Sequence, residues 1–319
     1  VMKVFIAGGS GVIGKRLVPL LVAKGHEVAA MSRSPEKARG LSELGAEPIL
    51  ADGLDRAAVL RAVVRARPEV VIHQMTSLAG IKSLKKFDDE LAVTNRLRTE
   101  GTDYLLEAAR AAGARRLIAQ SYGLWGTTSG GGTKGADSDM PATMRRTFDA
   151  IRHVESAVPE AEGIEGLVLR YGFFYGPGTG IAADGELVEL IRKRRWPLIG
   201  NGAGVWSFVH INDAATATLA AIERGAPGVH NVVDDEPAPL RVWLPELAEA
   251  LQGKPPRHVS EWIGRLAAGE AVVYLATRIQ GLSNTEAKRE LGWRLHYPSW
   301  REGFRHGLAE TPIETARAA

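Results

Sequence analysis

The stretch KVFIAGGSGVIGKRL, residues 3–17, decides the fold of this chain. A short β-rich run leads into a group of glycines, and an amphipathic helical pattern follows directly. A dinucleotide-binding turn requires this order of strand, glycine-rich turn and helix. The glycines permit a tight turn, and the amino terminus of the helix offers free N–H groups to a pyrophosphate. The sequence therefore predicts a turn that binds the phosphates of a dinucleotide.

The turn fits two glycine spacings. Gly9, Gly11 and Gly14 match the common Rossmann pattern GxGxxG, whereas Gly8, Gly11 and Gly14 match the pattern GxxGxxG. Either spacing gives a backbone that can approach a phosphate closely. Both spacings predict the same ligand, and the sequence alone does not decide between them.

The end of the second predicted strand, residues 26–33, indicates which dinucleotide binds. Ser32, Arg33 and Ser34 occur there, with no Asp or Glu among them. NAD requires an acidic residue for its ribose hydroxyls, whereas the planar guanidinium of Arg33 can pair with a 2′-phosphate. NADP is therefore predicted over NAD. Asp52, after the third predicted strand, is expected either to accept a hydrogen bond from the adenine amino group or to cap the next helix.

Strands and helices alternate through the first half of the chain. This alternation predicts right-handed βαβ units and an α/β fold, a Rossmann-type doubly wound parallel sheet with a smaller C-terminal α/β substrate region. The first half ends in a long helical stretch from about Asp88 to Ala112, closed by Gly113, and a fifth strand over residues 115–121. The predicted domains are an NADP-binding domain over 1–169, to which 204–233 return, and a substrate-binding region over 170–203 and 234–319.

Composition narrows the class of protein. The chain has 319 residues, of which 45% are hydrophobic and 24% charged, and it contains no cysteine. Disulfides, thiolate zinc sites and cysteine nucleophiles are thereby excluded, and a reducing cytoplasm is expected. We expect no secretory signal, no membrane partner and no metal site. The basic run Arg192–Arg195 is expected to be a solvated helix end, so a small molecule, not a nucleic acid, is the expected partner.

One polar segment interrupts the pattern of strands and helices. Residues 123–141, GLWGTTSGGGTKGADSDMP, follow the fifth predicted strand and are rich in Gly, Ser, Thr and Asp. Loops of this length are usually functional or disordered. The segment is therefore predicted to be a mobile flap over the active site.

Several further motifs carry a family resemblance. They are TNRLRTEGTDYLLEAARAAGARRLIAQS (94–121), LRYGFFYGPG (169–178), GNGAGVWSFVHINDAA (200–215) and AKRELGW (287–293). Together with the glycine turn, they resemble the extended short-chain dehydrogenase/reductase superfamily, in its NAD-dependent epimerase/dehydratase group. The resemblance covers nearly the whole chain and implies NAD(P)-dependent chemistry.

The resemblance also implies a catalytic set that this chain lacks in part. The family uses a Ser or Thr after strand five and then Tyr-x-x-x-Lys on the next helix. Ser121 matches the first, but the helix reads RRTFDAIRHVESA over residues 145–157. Alignment on Glu155 puts Thr147 and Ile151 at the dyad, and no shift of register restores it. The protein resembles an atypical member of the family.

Substitute groups are then expected near the end of strand five. Ser121 and Tyr122 are the predicted catalytic residues, with a pocket wall as the alternative role of Tyr122. A structural role is expected for His73, His210 and Asp213, whereas Arg152 or His153 could bind an anionic substrate. The predicted cofactor contacts are Gly8, Ser10, Gly11, Val12, Ile13, Gly14, Ser32, Arg33, Asp52, Gly53, Met75, Thr76 and Tyr171.

Aromatic residues predict the kind of substrate. Apolar rings at Trp125, Phe173, Phe174, Tyr175 and Trp206 imply an aromatic-walled pocket, unlike a site for a sugar nucleotide. We therefore predict an NADP(H)-dependent reductase of a hydrophobic, aromatic or polyketide-like carbonyl or enone. The alternatives are a redox-neutral lyase, cyclase or isomerase, and a non-catalytic NADP-binding sensor. A homodimer through the helices that follow strands four and five is also open.

Overall fold

The computed structural model describes residues 1–78, 83–123 and 140–310. In these ranges, seven parallel strands form one sheet in the order β11-β6-β5-β4-β1-β2-β3, and the other strands form three two-stranded pairs. The strands are β1 (Lys3–Ala7), β2 (Glu27–Ser32), β3 (Glu47–Leu50), β4 (Val70–His73), β5 (Arg116–Tyr122), β6 (Glu165–Tyr171), β7 (Phe173–Tyr175), β8 (Leu198–Ile199), β9 (Val205–Trp206), β10 (Phe208–His210), β11 (Gly228–Val232), β12 (Ala238–Pro239) and β13 (His258–Val259).

Helices cover both faces of this sheet, which confirms the predicted doubly wound α/β fold. They are α1 (Gly14–Ala23), α2 (Pro35–Glu43), α3 (Arg56–Ala66), α4 (Phe87–Glu90), α5 (Ala92–Arg98), α6 (Glu100–Ala112), α7 (Arg145–Ala157), α8 (Glu186–Arg192), α9 (Ile211–Glu223), α10 (Leu240–Ala250), α11 (Glu261–Ala268), α12 (Glu270–Thr277), α13 (Thr285–Leu291) and α14 (Trp300–His306). The strand order reverses between β1 and β4, and ligands of such sheets bind at the carboxyl ends of the strands beside this point.

The prediction of one long helix over residues 88–112 is wrong in one respect: the chain forms three consecutive helices there, α4, α5 and α6. The breaks fall at Leu91 and Thr99. Thr99 has a ψ of −81°, and its hydroxyl donates to the Asn95 carbonyl oxygen over 3.1 Å. A side chain that bonds back to its own helix in this way bends the helix. Gly113 ends α6 in the left-handed conformation, as expected.

The buried core has three parts. One lies between the sheet and helices α1 and α9, and a second lies between the opposite face and helices α3, α6 and α7. The third gathers α7, α10, α12 and α14 around a group of aromatic rings that includes Phe208, Trp243 and Trp300. β11 pairs with β6 at the edge of the sheet, and α9 packs against one face of it. The domain bounds themselves stay a prediction.

Two further predictions concern segments and partners. The predicted flap lies largely outside the described residues, since only Gly123 and residues 140–141 of it are described. In the described part of the chain, no helix has the length and apolar character needed to cross a bilayer. No group of three or more His, Asp or Glu side chains there is suited to hold a metal ion.

Candidate active site

The glycine turn between β1 and α1 is closely packed. Gly8 has a φ of +89°, and a Cβ atom there would lie 2.6 Å from the carbonyl oxygen of Gln74. Gly14 is the first residue of α1, and a Cβ atom on it would lie 2.2 Å from the Gly9 carbonyl oxygen. No side chain fits at either position. The left-handed Gly8 favours the GxxGxxG spacing of the two that the sequence left open.

The same turn fits the phosphates of a dinucleotide. The first turn of α1 contains no acidic residue, so the positive end of the helix dipole faces no carboxylate of its own first turn. Ser10 is half-buried, whereas Gly11 and Val12 are exposed at the tip of the turn and Ile13 is buried beneath it. This cradle of backbone, which Cβ atoms would fill, matches the expected dinucleotide site. The individual contacts stay predictions.

Hydroxyl groups surround the end of β2. The hydroxyl oxygens of Ser10 and Ser32 are 3.1 Å apart, and Ser32 also accepts a hydrogen bond from the Ser34 backbone N–H. Ser34 caps α2 by accepting from the Lys37 N–H over 3.3 Å. Arg33 is exposed beside them. The end of β2 therefore holds a group of hydroxyls and one exposed cationic side chain.

One of the two roles left open for Asp52 is wrong. The residue that caps α3 is Asp55, which accepts a hydrogen bond from the Ala58 N–H over 2.9 Å. Asp52 is exposed, and its carboxylate accepts from the Leu54 N–H within the preceding turn. The contact of Asp52 with adenine stays a prediction.

Gly53 and Met75 pack against each other behind Asp52. A Cβ atom at Gly53 would lie 2.3 Å from the sulfur of Met75, which is itself buried. Thr76, the next residue, is exposed at the carboxyl end of β4. Thr76 is thus available to a ligand, whereas Gly53 and Met75 shape the floor of this part of the site. Their contacts with a cofactor stay predictions.

His73 at the end of β4 has both ring nitrogens in use. Its Nδ1 accepts from the Met75 N–H over 3.2 Å, and its Nε2 donates to the Leu97 carbonyl oxygen over 3.1 Å. Burial lowers the pKa of this imidazole to about 4. A neutral ring held at both nitrogens joins β4 to α5, which supports the structural role expected for His73.

Tyr171 lies inside the core next to α9. Its hydroxyl donates to Thr218 over 2.7 Å and accepts from the Gln74 side chain, since Thr218 gives its own proton to the Ala214 carbonyl oxygen. Burial raises the pKa of Tyr171 to about 12, and 1% of its surface is exposed. This geometry favours a packing role. The contact of Tyr171 with the cofactor stays a prediction.

The helix α7 has no acidic side chain at Thr147, where alignment on Glu155 predicts the family's tyrosine. Thr147 is fully buried, donates its hydroxyl proton to Asp88 over 2.7 Å and accepts from the Asn95 amide over 3.0 Å. The Asp88 carboxylate also accepts the Thr147 backbone N–H and so caps α7 from a separate helix. Ile151, at the position of the lysine, is buried in an apolar cluster with Phe148. Neither residue can donate a proton to a ligand.

Ser121 belongs to a buried ionic network. Its hydroxyl donates to Glu155 over 2.5 Å. Arg170 on β6 binds the same carboxylate with two nitrogens, over 2.8 and 2.5 Å, and the side chains of Arg170 and Glu155 are only 4% and 8% exposed. The sequence did not predict that Glu155 and Arg170 are site residues or that they pair. The catalytic role of Ser121 stays a prediction, and its hydroxyl is committed to Glu155 in this structure.

Tyr122 begins an aromatic wall. Its ring meets Phe173 edge to face at 5.3 Å, and Phe173 stacks on Trp206 at 3.8 Å. The rings of Tyr122 and Phe173 are half-buried, so part of each is open to a ligand. Burial raises the pKa of the Tyr122 phenol, and the Arg98 guanidinium opposes that shift. This geometry favours the alternative role of Tyr122 as a wall, and its catalytic role stays a prediction.

Two of the five predicted wall residues are corrected by the structure. Phe174 packs on Tyr171 at 5.4 Å, on the side of α9. Tyr175 is fully buried among the rings of the third core cluster. Phe174 points to the opposite side from Phe173 because successive side chains of a strand alternate between its faces. Tyr175 lies on the same side as Phe173, but its complete burial excludes it from the wall. Trp125 lies outside the described residues.

Other polar residues singled out in the sequence have structural partners. His210 donates to the Gly307 carbonyl oxygen, and Asp213 accepts from two backbone N–H groups, as expected of structural residues. His153 pairs with Asp103 on the neighbouring helix over 2.7 Å. In the basic run, Arg192 and Lys193 pair with Glu189 on the same helix, so this run behaves as the expected solvated helix end.

Several known proteins are similar to this chain in sequence and in fold. The model of the NAD dependent epimerase/dehydratase family matches residues 4–233. A 3-diazoavenalumate denitrifying reductase from a Streptomyces species is 43% identical over 310 residues, which are 95% of this chain and 99% of that protein. A 4-hydroxy-2-methyl-3-oxo-4-farnesyl-3,4-dihydroquinoline-1-oxide ketoreductase from Stigmatella aurantiaca is 30% identical over 317 residues, 92% of each chain.

A solved structure extends the comparison to three dimensions. The UDP-glucose 4-epimerase of Thermus thermophilus, in complex with NAD, has a TM-score of 0.70 and 25% identity, covering 96% of this chain and 98% of that chain. The matched family and the packed glycine turn agree with the resemblance found in the sequence. The chain therefore belongs to the NAD dependent epimerase/dehydratase family and is an NAD(P)-dependent oxidoreductase of the extended short-chain dehydrogenase/reductase type.

Proposed function

We propose that this protein is an NADPH-dependent reductase of a flat, conjugated substrate whose reduction needs no proton from a tyrosine. The observation that carries the proposal is the pair of buried residues Thr147 and Ile151 on α7. They stand where a reductase of the usual mechanism would hold its acid and its cation. The glycine turn supports cofactor binding, and reductases are among the protein's relatives.

The choice of NADPH over NADH rests on the end of β2. Ser10, Ser32 and Ser34 form a group of hydroxyls there, and Arg33 is exposed next to them. A 2′-phosphate would accept hydrogen bonds from these hydroxyls and pair with the guanidinium. The nearest acidic side chain along the chain, Glu36, lies beyond the strand, in the first turn of α2. The end of the strand thus lacks the carboxylate that would bind the ribose hydroxyls of NAD.

Replacement of Arg33 by Ala tests this choice. We expect the KM for NADPH to rise about tenfold, because one charge-assisted contact at an exposed site is lost, and the KM for NADH to change less than about twofold. Arg39→Ala, at an exposed position on the following helix α2, is the matched control and should change neither value. An equal effect of Arg33→Ala on both cofactors would mean that no 2′-phosphate binds there.

The substrate is proposed from the wall and from the relatives. Tyr122 and Phe173 present half-buried rings that suit a flat apolar substrate. The Streptomyces relative is a denitrifying reductase of a diazo compound, and the Stigmatella relative reduces a dihydroquinoline ketone. An aromatic diazo compound fits the absent dyad better than a ketone does. Hydride addition to a ketone leaves an alkoxide, a strong base that must be protonated, whereas loss of nitrogen from a hydroxyarenediazonium leaves at most a phenolate, a far weaker base that need not be protonated in the site.

The proposed reaction balances without a protein acid. When bound, NADPH supplies a hydride from its nicotinamide ring. An arenediazonium that receives one hydride gains a C–H bond, and its C–N bond breaks as N₂ leaves with that electron pair. The aromatic wall would hold the ring in place and exclude water, which competes as a nucleophile for the same carbon.

The assay follows NADPH and nitrogen together. The purified protein is given NADPH and a panel of 2-hydroxyarenediazonium salts, next to aromatic ketones and enones. We expect N₂ release and NADPH oxidation in a ratio of one to one, at a rate above that of enzyme-free mixtures. Product without NADPH oxidation would instead favour a redox-neutral lyase, cyclase or isomerase. NADPH binding without turnover on every compound would favour a sensor.

A ketone or enone is the second candidate substrate, and the Stigmatella ketoreductase favours it. In that case Ser121 or Tyr122 would polarise the substrate oxygen. Reduction of a ketone that is faster than that of every diazo compound would select this candidate. We further propose a cytoplasmic enzyme and leave a homodimer as a prediction.

A further inference from the structure

Arg98 is a buried cation with few partners. It is the last residue of α5, and 6% of its surface is exposed. Among the described residues, its recorded hydrogen bond is a long one, 3.4 Å from Nη1 to the Asn95 side-chain oxygen, and its Nε is buried without a partner. A guanidinium offers five N–H donors, and buried charges in proteins are almost always paired. The described residues therefore leave donors of Arg98 unused.

The neighbours of Arg98 place it at the candidate active site. One turn earlier on α5, the Asn95 amide donates to Thr147, at the position of the family's tyrosine. Leu97 accepts the bond from His73 at the carboxyl end of β4. The guanidinium also interacts electrostatically with Tyr122, the first ring of the aromatic wall.

Glu155 does not neutralise Arg98 by a hydrogen bond. The Arg98 guanidinium interacts electrostatically with the Glu155 carboxylate. However, Arg170 binds both oxygens of that carboxylate, and Ser121 donates to one of them. The other titratable neighbour, His73, is neutral, and burial disfavours the ionised form of Tyr122. An anionic group at the site would complete the hydrogen bonding of Arg98.

We propose that Arg98 binds a substrate oxygen that is conjugated to the reduced ring and that becomes negatively charged during the reaction. This inference rests on the proposed function. In a 2-hydroxyarenediazonium, the phenolate oxygen is neutralised by conjugation with the diazo group, and it carries a full negative charge once N₂ has left. A guanidinium stabilises that charge without giving up its proton. Arg98 would thus supply the positive charge that the family's lysine provides elsewhere.

Binding of 4-nitrophenol tests Arg98 without any turnover. The phenol and the phenolate absorb at different wavelengths, so the spectrum of the bound probe shows its ionisation state. We expect the wild-type protein to bind the phenolate in preference to the phenol and to lower the apparent pKa of the probe. Arg98→Met should weaken phenolate binding about tenfold or more and abolish the preference. Arg98→Lys, which keeps the charge, should retain part of it.

Two controls show whether a change in probe binding arises from Arg98 itself and not from misfolding. Arg96→Met removes an exposed guanidinium that pairs with Glu100 on the outer face, and it should leave probe binding unchanged. NADPH titration and thermal unfolding show whether each variant is folded. The role of Arg98 would be overturned if the wild-type protein preferred neutral 4-nitrophenol, or if folded Arg98→Met bound the phenolate unchanged. Either result would stand even if the protein reduces diazo compounds. Phenolate binding without turnover on diazo compounds would instead overturn the proposed function.

Discussion

Replacement of Gly14 by Ala is expected to abolish NADPH binding and to destabilise the fold. A Cβ atom at Gly14 would lie 2.2 Å from the Gly9 carbonyl oxygen, and the atoms in the way belong to backbone, which cannot rotate aside. The turn or the helix must therefore shift. Overpacking of this kind costs at least about 2 kcal/mol. NADPH titration by fluorescence should show affinity weakened more than about tenfold, and thermal unfolding should show a lower Tm.

Gly40→Ala is the matched control for Gly14→Ala. Gly40 lies inside α2, where an added Cβ atom would meet nothing within 4 Å. Alanine in a helix is more stable than glycine by about 0.5–1 kcal/mol, so this variant should unfold at an equal or higher temperature and bind NADPH normally. If Gly14→Ala binds NADPH as well as Gly40→Ala does, the phosphate site lies elsewhere.

Replacement of Glu155 by Ala should be the most destabilising of these changes. The carboxylate binds Arg170 through two hydrogen bonds and also accepts the Ser121 hydroxyl, in a buried position. Its removal takes away the carboxylate partner of a buried guanidinium. Breaking a buried ion pair from one side costs about 3–5 kcal/mol. Urea unfolding should show that loss in the free energy of unfolding.

A second ion pair and a double variant are the controls for Glu155. Glu107 pairs with Arg56 between α3 and α6, with 2.7 Å between Oε2 and the Arg56 Nε, but both side chains are well exposed. Glu107→Ala should therefore cost less than about 1 kcal/mol. Glu155→Leu combined with Arg170→Met should regain part of the stability that Glu155→Ala loses, since apolar residues can replace a buried pair. Equal losses for the buried and the exposed pair would contradict this account.

Local patterns made most of the fold predictable. The glycine turn could be recognised because the requirement for glycine there arises from residues close together in the sequence. The parallel sheet followed from the alternation of strands and helices. The breaks at Leu91 and Thr99 could not be read in this way, because the residues there fit a continuous helical pattern and their contacts with other elements decide the geometry.

The candidate site was less predictable because its polar residues pair over long distances in the sequence. Arg96 and Arg98 are two residues apart in one charged stretch, yet the first is exposed and the second buried. Helical spacing held a signal, since Thr94 and Arg98 lie one turn apart on α5 and are both buried. Asp88, which caps α7 from 59 residues away, left no comparable signal.

Transfer of deuterium from NADPH tests the central claim most directly. The protein is incubated with NADPH that carries deuterium on either face of nicotinamide C4 and with the diazo compound that it consumes fastest. With one of the two labelled cofactors, mass spectrometry should find one deuterium per molecule of N₂, on the carbon that nitrogen left. The same turnover should persist in Ser121→Ala, in which the family's remaining catalytic group is absent. A product that carries no deuterium from either cofactor would contradict hydride transfer and with it the proposed function.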